Sequence, residues 1–457
     1  MEQSNNRTME LMKRFLSNIL PQSTKNKYHK AQAKWARIRY GNPSRDLTII
    51  GVTGTKGKTT VCSMISAILD AAGLHNAMET TISTKIGNLV TPHRVKDKWV
   101  TTPPASVINK FFRQALDAGC KYLIMEVTSQ AIDQYRVFGI EFDVLVYTNL
   151  SHDHLDYHKT KENYLAAKMK VFEDNPNAIF VINRDDAHWN KFYDLPAKEK
   201  FLYSVKTPIE HGAVARKILK TSDTATFTAA YDDGQFAGQI TVALNLPGVF
   251  NVQNALSAFC VGRALAIEPE IIKKGLESIE TVTGRMESIR VSQKQDFTVL
   301  VDYAHNPDSL KNVYETVRES IDKTGGRIIA VLGATGRRDR TKRPIMGALA
   351  GCYADYVIFT NEDPYDEAPE AIMEEVAEGI HRGSKKHQWY LNRNYWKVLD
   401  RGQAIHKAIK EAKKNDVVII TGKGAEEVMA VGRDKFVPFS DRKIARQELQ
   451  MRFHEER

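Results

Sequence analysis

The chain has 457 residues, 42% of them hydrophobic and 26% charged, with a formal net charge of +10. This is the composition of a soluble globular protein, and the length allows two or three domains, each with its own core. No apolar run is long enough to span a bilayer, and the opening residues Met1-Glu2-Gln3-Ser4-Asn5-Asn6 are too polar for a secretory signal, so a cytoplasmic location is expected. Cys62, Cys120, Cys260 and Cys352 show no C-x-x-C spacing, which points to buried reduced thiols rather than a zinc site or a disulfide framework.

From the N-terminus, Met9–Leu20 has the apolar spacing of a helix and is followed by the basic segment Lys25–Arg39. A helix docked on the next domain is expected, and contact with a membrane surface through residues 9–39 is the less favoured reading. A second basic cluster comprises Arg337, Arg338, Arg340, Lys342 and Arg343. Nucleic acid is not expected as a partner, because a phosphate-rich small substrate explains the positive field equally well.

Strands at Leu47–Thr53, Tyr122–Val127, Val144–Asn149 and Ala178–Asn183 alternate with helices at Val61–Ala72, Ala105–Ala118 and Lys161–Phe172, the pattern of a parallel α/β sheet. Residues 201–246 change to short alternating segments with a turn at Tyr231-Asp232-Asp233-Gly234, predicting a small antiparallel subsheet. Helices at Val252–Ala266 and Pro269–Ile279 follow. Near Gly284 a second alternation begins, with strands at Thr298–Tyr303, Arg327–Leu332, Tyr356–Thr360 and Val417–Thr421 and helices at Pro307–Ile321, Arg343–Ala350, Pro369–Ile380 and Gln403–Ala412. The expected fold is therefore α/β: a central phosphate-loop ATPase domain at 47–283, then a Rossmann-like doubly wound domain at 284–457, with a short extension at 1–46.

The chemistry sits at the strand ends, where open α/β sheets place their ligands. Gly54-Thr55-Lys56-Gly57-Lys58-Thr59-Thr60 forms a Gly-rich turn between a strand and a helix, which exposes backbone N–H groups to phosphate. Lys58 would reach the outer phosphates and Thr59 would ligate Mg²⁺. Val52 stands where a G-x-x-x-x-G-K-[ST] loop has its first Gly. Glu126, at the end of an apolar strand in the same sheet, is the economical second Mg²⁺ ligand, because a buried carboxylate needs a cation or hydrogen bonds. Tyr147 to His158 packs three His and two Asp into a loop beside the same sheet.

Together these motifs resemble the Mur ligase family, most closely its MurE branch. The likeness is carried by Gly54 to Thr60, Thr101-Thr102-Pro103, Met125-Glu126-Val127-Thr128-Ser129, Thr148 to His158 and Tyr164-x-x-Ala167-Lys168. It continues through Gly248-x-Phe250-Asn251-Val252-x-Asn254-Ala255, Gly284-Arg285-Met286-Glu287, Asp302-Tyr303-Ala304-His305-Asn306-Pro307, Lys342-Arg343-Pro344-x-Met346-Gly347 and Gly422-Lys423-Gly424. The resemblance implies an ATP-dependent ligase of peptidoglycan precursor synthesis. Such an enzyme phosphorylates a muramyl-peptide carboxylate of the UDP-MurNAc-L-Ala-D-Glu type, and the amino group of an incoming amino acid then attacks the acyl phosphate.

The same resemblance implies roles for individual residues. Lys58 stabilises the transferring phosphate, Thr59 and Glu126 hold one Mg²⁺, and His154 with a carbamylated Lys168 serves a second. Asn251 and Asn254 border the adenine, while Arg285 and Asp302 lie near ribose and phosphates. Thr101, Thr102, Thr128, Gln134 and Arg136 contact the muramyl peptide, and Arg338 holds the carboxylate of the amino acid. Helical pattern alone would make Lys168 a surface lysine.

Two departures qualify the likeness. Where diaminopimelate-adding members have Asp-Asn-Pro-Arg, this chain has Glu362-Asp363-Pro364-Tyr365, and Gly422-Lys423-Gly424-Ala425-Glu426 keeps Glu426 but replaces the family's His with Ala425. With the arginine gone and carboxylates nearby, a lysine-like amino acid is expected over diaminopimelate. Some 46 residues precede the first strand, where the family has a UDP-binding domain of about a hundred, so a UDP-linked, a lipid-linked and a non-nucleotide acceptor all stay open. The alternative function is a Mur-like ligase acting on another polymer, in the manner of folylpolyglutamate or cyanophycin synthetases.

Overall fold

A computed structural model describes residues 22–92, 101–151, 153–221, 224–322, 325–383 and 388–454. Among the described residues, strand β1 (Thr48–Thr53) lies in the interior of an eleven-stranded sheet. On one side lie β5 (Tyr122–Glu126), β2 (Asn76–Glu79), β3 (Ser83–Ile86) and β4 (Leu89–Pro92); on the other come β6 (Val144–Tyr147), β7 (Ile179–Asn183), β8 (Glu199–Ser204), β9 (Gly212–Lys220), β10 (Ala225–Asp232) and β11 (Ala237–Leu244). β2, β5, β1, β6, β7, β8 and β9 run parallel to one another, and the pairs β2–β3, β3–β4, β9–β10 and β10–β11 toward the two edges are antiparallel. The antiparallel strands predicted after residue 201 thus extend the main sheet.

Alternate residues of β1 serve opposite faces, as the two-residue period of a strand demands. Ile50 and Val52 join Val61, Ile65, Val252 and Phe259 in one core, while Ile49 packs with Ile108, Phe112 and Phe172 in the other. Helices cover both faces: Lys58–Ala71, Val249–Ala264 and Pro269–Glu277 on the first, Ala105–Asp117 and Lys161–Glu173 on the second. Each fully buried aliphatic side chain contributes about 1.5–3 kcal/mol, which holds the end of β1 in a fixed place.

The second sheet has six strands in the order β12 (Glu287–Ser288), β13 (Thr298–Asp302), β17 (Val417–Thr421), β14 (Ile328–Leu332), β15 (Tyr356–Phe359), β16 (Tyr395–Lys397). All pair in parallel except β12. Because β17 lies between β13 and β14, the chain diverges there and opens a crevice at the strand ends. Val299, Val301, Ile329, Val331 and Ile420 face one core, and Leu300, Ile328, Ala330, Leu332 and Ile419 the other.

The helix Gln22–Arg39 buries Ala33 and Ala36 against Ala105 and Phe138 and leaves Tyr28, Trp35 and Ile38 exposed. The apolar run 9–20 lies outside the described residues, as does His152. No helix among the described residues is long and apolar enough to cross a membrane. One expectation fails: Cys62, Cys120 and Cys260 are buried free thiols, but Cys352 is exposed, at the outer side of the helix Lys342–Tyr353.

Candidate active site

The loop after β1 is shaped by its glycines and by the ends of neighbouring elements. Gly57, at φ 84°, caps the helix Lys58–Ala71, and a Cβ there would lie 2.4 Å from Asn254 Oδ1, so glycine lets the loop and the helix Val249–Ala264 touch. Asn149 clamps the turn from outside: its Oδ1 accepts the Lys56 N–H at 3.0 Å and its carbonyl accepts the Thr55 N–H at 2.8 Å. Lys58 curls back over the loop, its Nζ donating to the carbonyls of Gly54 (3.0 Å) and Thr55 (2.9 Å). Burial lowers its pKa, with Glu126 opposing that effect and Arg285 adding to it.

Thr59 and Glu126 meet as a candidate metal pair. Thr59 Oγ1 donates to Glu126 Oε1 at 2.7 Å, and Arg285 reaches across from the second sheet to Thr59 Oγ1 at 3.3 Å. Glu126 also accepts from the Thr81 N–H (2.9 Å) and Thr81 Oγ1 (3.1 Å). A carboxylate beside a hydroxyl, leaving most positions to phosphate and water, is the oxygen-donor set that suits Mg²⁺. Among the described residues no group of three or more His, Cys, Asp or Glu gathers as a self-sufficient metal site. Thr60 is buried in the same helix turn.

On the other side of the loop, the ring of Tyr164 lies between His154 and Lys168. Its centroid is 6.0 Å from that of His154 and 4.8 Å from Lys168 Nζ, and its hydroxyl meets Thr55 Oγ1 at 3.1 Å. Lys168 is 1% exposed and donates to the Gly54 carbonyl at 2.9 Å. Burial, together with the charge of Lys58, drives its pKa well below the ordinary lysine value despite Asp153. It is a buried lysine, where the helical pattern alone allowed a surface one. Lys56 is lowered to about 8, chiefly by burial, against the pull of Asp308, Asp153 and Asp302.

Around the nucleotide crevice, Asn254 Nδ2 donates to Asn251 Oδ1 (3.2 Å), and both are buried. Asp302, at the end of β13, accepts from the N–H groups of Met286 (2.8 Å) and Ala304 (2.7 Å); burial raises its pKa and Arg285 works against that. Arg285 stacks 4.6 Å from the ring centre of Tyr303.

The residues assigned to the acceptor form one connected network at the end of β5. Thr101 Oγ1 lies 3.0 Å from Thr81 Oγ1, Thr102 Oγ1 donates to the Glu126 carbonyl (2.9 Å), and Thr128 caps the helix Ser129–Asp133. Arg136 holds Gln134 Oε1 through Nε (3.0 Å) and Nη2 (2.6 Å). Thr81 belongs to this network although the sequence reading passed it over. It follows β2, a strand whose residues Asn76-Ala77-Met78-Glu79 lack an alternating pattern, and its role becomes visible only through the pairing of β2 with β5.

The carboxylates of the second sheet are brought together but are largely engaged. Lys423, 1% exposed, binds Asp363 at 2.7 and 2.8 Å and also Glu426. Burial pushes Glu426 upward despite that lysine. Glu362 Oε1 accepts from Thr335 Oγ1 (2.9 Å), and among the described residues no donor reaches its buried Oε2; burial raises the pKa of Glu362 and Arg401 opposes. A Cβ on Gly422 would sit 2.1 Å from Glu362 Oε2, so only glycine fits there. Tyr365 follows Pro364 with its N–H on the Ala430 carbonyl (3.1 Å), and Arg338 acts electrostatically on both Tyr303 and Tyr365. A cavity of about 370 Å³ is lined by residues that include Thr59, Ile82, Thr283, Ala425 and Arg442.

The profile of the Mur ligase middle domain matches residues 52–262, and that of the Mur ligase glutamate ligase domain matches residues 284–424. The chain is 38% identical over 416 residues to UDP-N-acetylmuramoyl-L-alanyl-D-glutamate--2,6-diaminopimelate ligase of Clostridium botulinum, covering 91% of this chain and 80% of that protein. A solved structure of a ligase with the same description superposes with a TM-score of 0.63 at 28% identity, over 95% of this chain and 84% of that one. Mycobacterium tuberculosis folylpolyglutamate synthase, at 16% identity and TM-score 0.66 over 93% of this chain and 95% of its own, shares the fold. With both domain profiles matched in order and a relative of this identity along most of its length, the chain belongs to the Mur ligase family.

Proposed function

We propose that this protein is a MurE-type, ATP-dependent, ADP-forming ligase that joins an amino acid to a muramyl-peptide carboxylate. The observation that carries the reading is the meeting of three groups at Thr59: the phosphate loop with Lys58, the carboxylate of Glu126 with the Thr101–Arg136 network behind it, and Arg285 from the second sheet. An acceptor carboxylate oxygen held by that network attacks the γ-phosphorus, and ADP leaves. The amino group of the second substrate, its carboxylate on Arg338, then attacks the acyl carbon and phosphate departs. Such chemistry depends on positioning and charge neutralisation more than on covalent catalysis. Mg²⁺ held by Thr59 and Glu126 would supply part of that neutralisation.

Lys168 fits the carbamate that the family resemblance implies. A buried amine whose charged form burial and Lys58 disfavour can add to CO₂ with loss of a proton, and the resulting anion would face Lys58 and offer an oxygen ligand on the His154 side of the loop. The amino donor carries a cationic side chain in preference to diaminopimelate. Glu362, Asp363 and Glu426 outnumber Lys423, Arg401 is spent on Asp441, and Tyr365 supplies no charge for a second carboxylate. Purified protein given UDP-MurNAc-L-Ala-D-Glu, ATP and one amino acid should release ADP and the tripeptide product only when all three are present. ADP release that ignores the acceptor refutes the function, and a higher kcat/KM for diaminopimelate than for lysine refutes the preference.

A further inference from the structure

The two sheets touch at a buried amide close to His154. Asn306 is 3% exposed and spends both ends of its side chain. Its Oδ1 accepts the Ser309 N–H at 3.0 Å, capping the helix Pro307–Ile321, and its Nδ2 donates to Asp153 Oδ2 at 3.2 Å. The other oxygen of Asp153 accepts the N–H of His154 at 2.9 Å, and His154 sits in the left-handed region at φ 53°. On the second sheet's side, Lys342 Nζ donates to the carbonyl of His305 at 2.8 Å and secures the turn just before Asn306.

We infer that Asn306 is a positioning residue through which the second sheet's approach sets the orientation of His154. This rests on the reading that His154 serves the phosphate site. A left-handed backbone is costly for a residue other than glycine and persists only where its surroundings hold it. The Tyr157 and His158 N–H groups hold the His154 carbonyl at 3.1 and 2.9 Å, and Asp153 holds its N–H, the direction of that carboxylate being set by an amide from the other half of the molecule. Rotating the Asn306 amide would exchange N and O and lose the cap and the Asp153 contact together. When the second sheet moves beyond hydrogen-bond reach, Asp153 is released and His154 with it. The site is complete only while the two halves are together, as an enzyme that must keep water from an acyl phosphate requires.

A swapped pair tests this. Asn306→Asp keeps the helix cap, since aspartate accepts the same N–H, but sets a carboxylate against Asp153. Adding Asp153→Asn restores a donor and an acceptor in reversed order, with the His154 N–H still accepted. N306D should lower kcat about 10–100-fold with little change in the acceptor KM, the size expected when an outer partner of a ligand is lost, and the swapped pair should regain most of it. Asn306→Ser also caps the helix but is too short to reach Asp153, and should show the same fall in kcat without an added charge, so a folding defect in N306D does not remove the test. The rise in melting temperature on adding Mg²⁺ and AMPPNP needs no acceptor and should follow the same order: reduced in N306D and N306S, restored in the swapped pair. If the wild type forms no tripeptide, the proposed function falls while this melting shift still decides the inference. A swapped pair no better than N306D, or N306D and N306S that match the wild type in kcat and in melting shift, overturns it.

Discussion

Replacing Lys168 with methionine separates the cost of burying this side chain from its use. Methionine fills a similar volume, so the cavity penalty of about 2–5 kcal/mol expected for Lys168→Ala is avoided. The lost hydrogen bond to the Gly54 carbonyl is worth about 1 kcal/mol, and Lys58 still donates to that carbonyl at 3.0 Å. Against this stands the cost of deprotonating the amine, because the folded state lowers its pKa through burial and Lys58. The sign follows from proton counting. Between the folded value and about 10.4 the unfolded chain binds more protons, so wild-type stability rises with pH by up to about 1.4 kcal/mol per unit, and Lys168→Met removes that slope. Urea unfolding at several pH values should show the variant gaining on the wild type as pH falls toward neutral. Ligation should meanwhile drop about 10²–10³-fold, as for loss of one preorganised electrostatic group. With Lys168→Ala, formate should return part of the activity by supplying the missing oxygen, and the wild type should slow in CO₂-depleted buffer. A Lys168→Met enzyme that ligates normally, or that keeps the wild-type pH slope, would refute the reasoning.

Lys58→Ala removes the ammonium that bridges the loop and should lower acyl-phosphate formation by about 10²–10³, read as ADP release in the presence of acceptor; unchanged turnover would sink its assignment. Lys56, lowered to about 8, should lose its charge as pH rises, so Mg²⁺-ADP affinity measured by calorimetry should weaken between about pH 7 and about pH 9, whereas Lys56→Arg stays flat; a flat wild-type profile counts against the role. Arg401 and Asp441 form a fully buried pair at 2.7 and 2.8 Å beneath Glu362, and Asp441→Asn should cost about 3–5 kcal/mol in urea unfolding by leaving the guanidinium uncompensated. A change below about 1 kcal/mol would show that the pair is dispensable.

The alternation of apolar runs with helical patterns determined much of the architecture before any coordinates. Pro307–Ile321 and Val417–Thr421 have the bounds their patterns give, because each is a continuous segment closed by its own cap or turn. The Gly-rich turn with Lys58 and Thr59 was legible as a candidate phosphate site because phosphate chemistry restricts residue type and spacing along one short stretch of chain. Tertiary structure alone decided what depends on distant partners. β2, β12 and β16 are two to four residues long and exist only through the strands beside them. Lys168 reads as an exposed helical lysine until the loop of Gly54 closes over it. The acidic run at 362–363 reads as an open anionic patch until Lys423, some sixty positions along the chain, is found bound to it. Asn306 and Asp153 stand 153 residues apart, and no local pattern can express a hydrogen bond between them. Local periodicity and capping are written in neighbouring residues, whereas burial, charge pairing and the meeting of two sheets are properties of the folded surface.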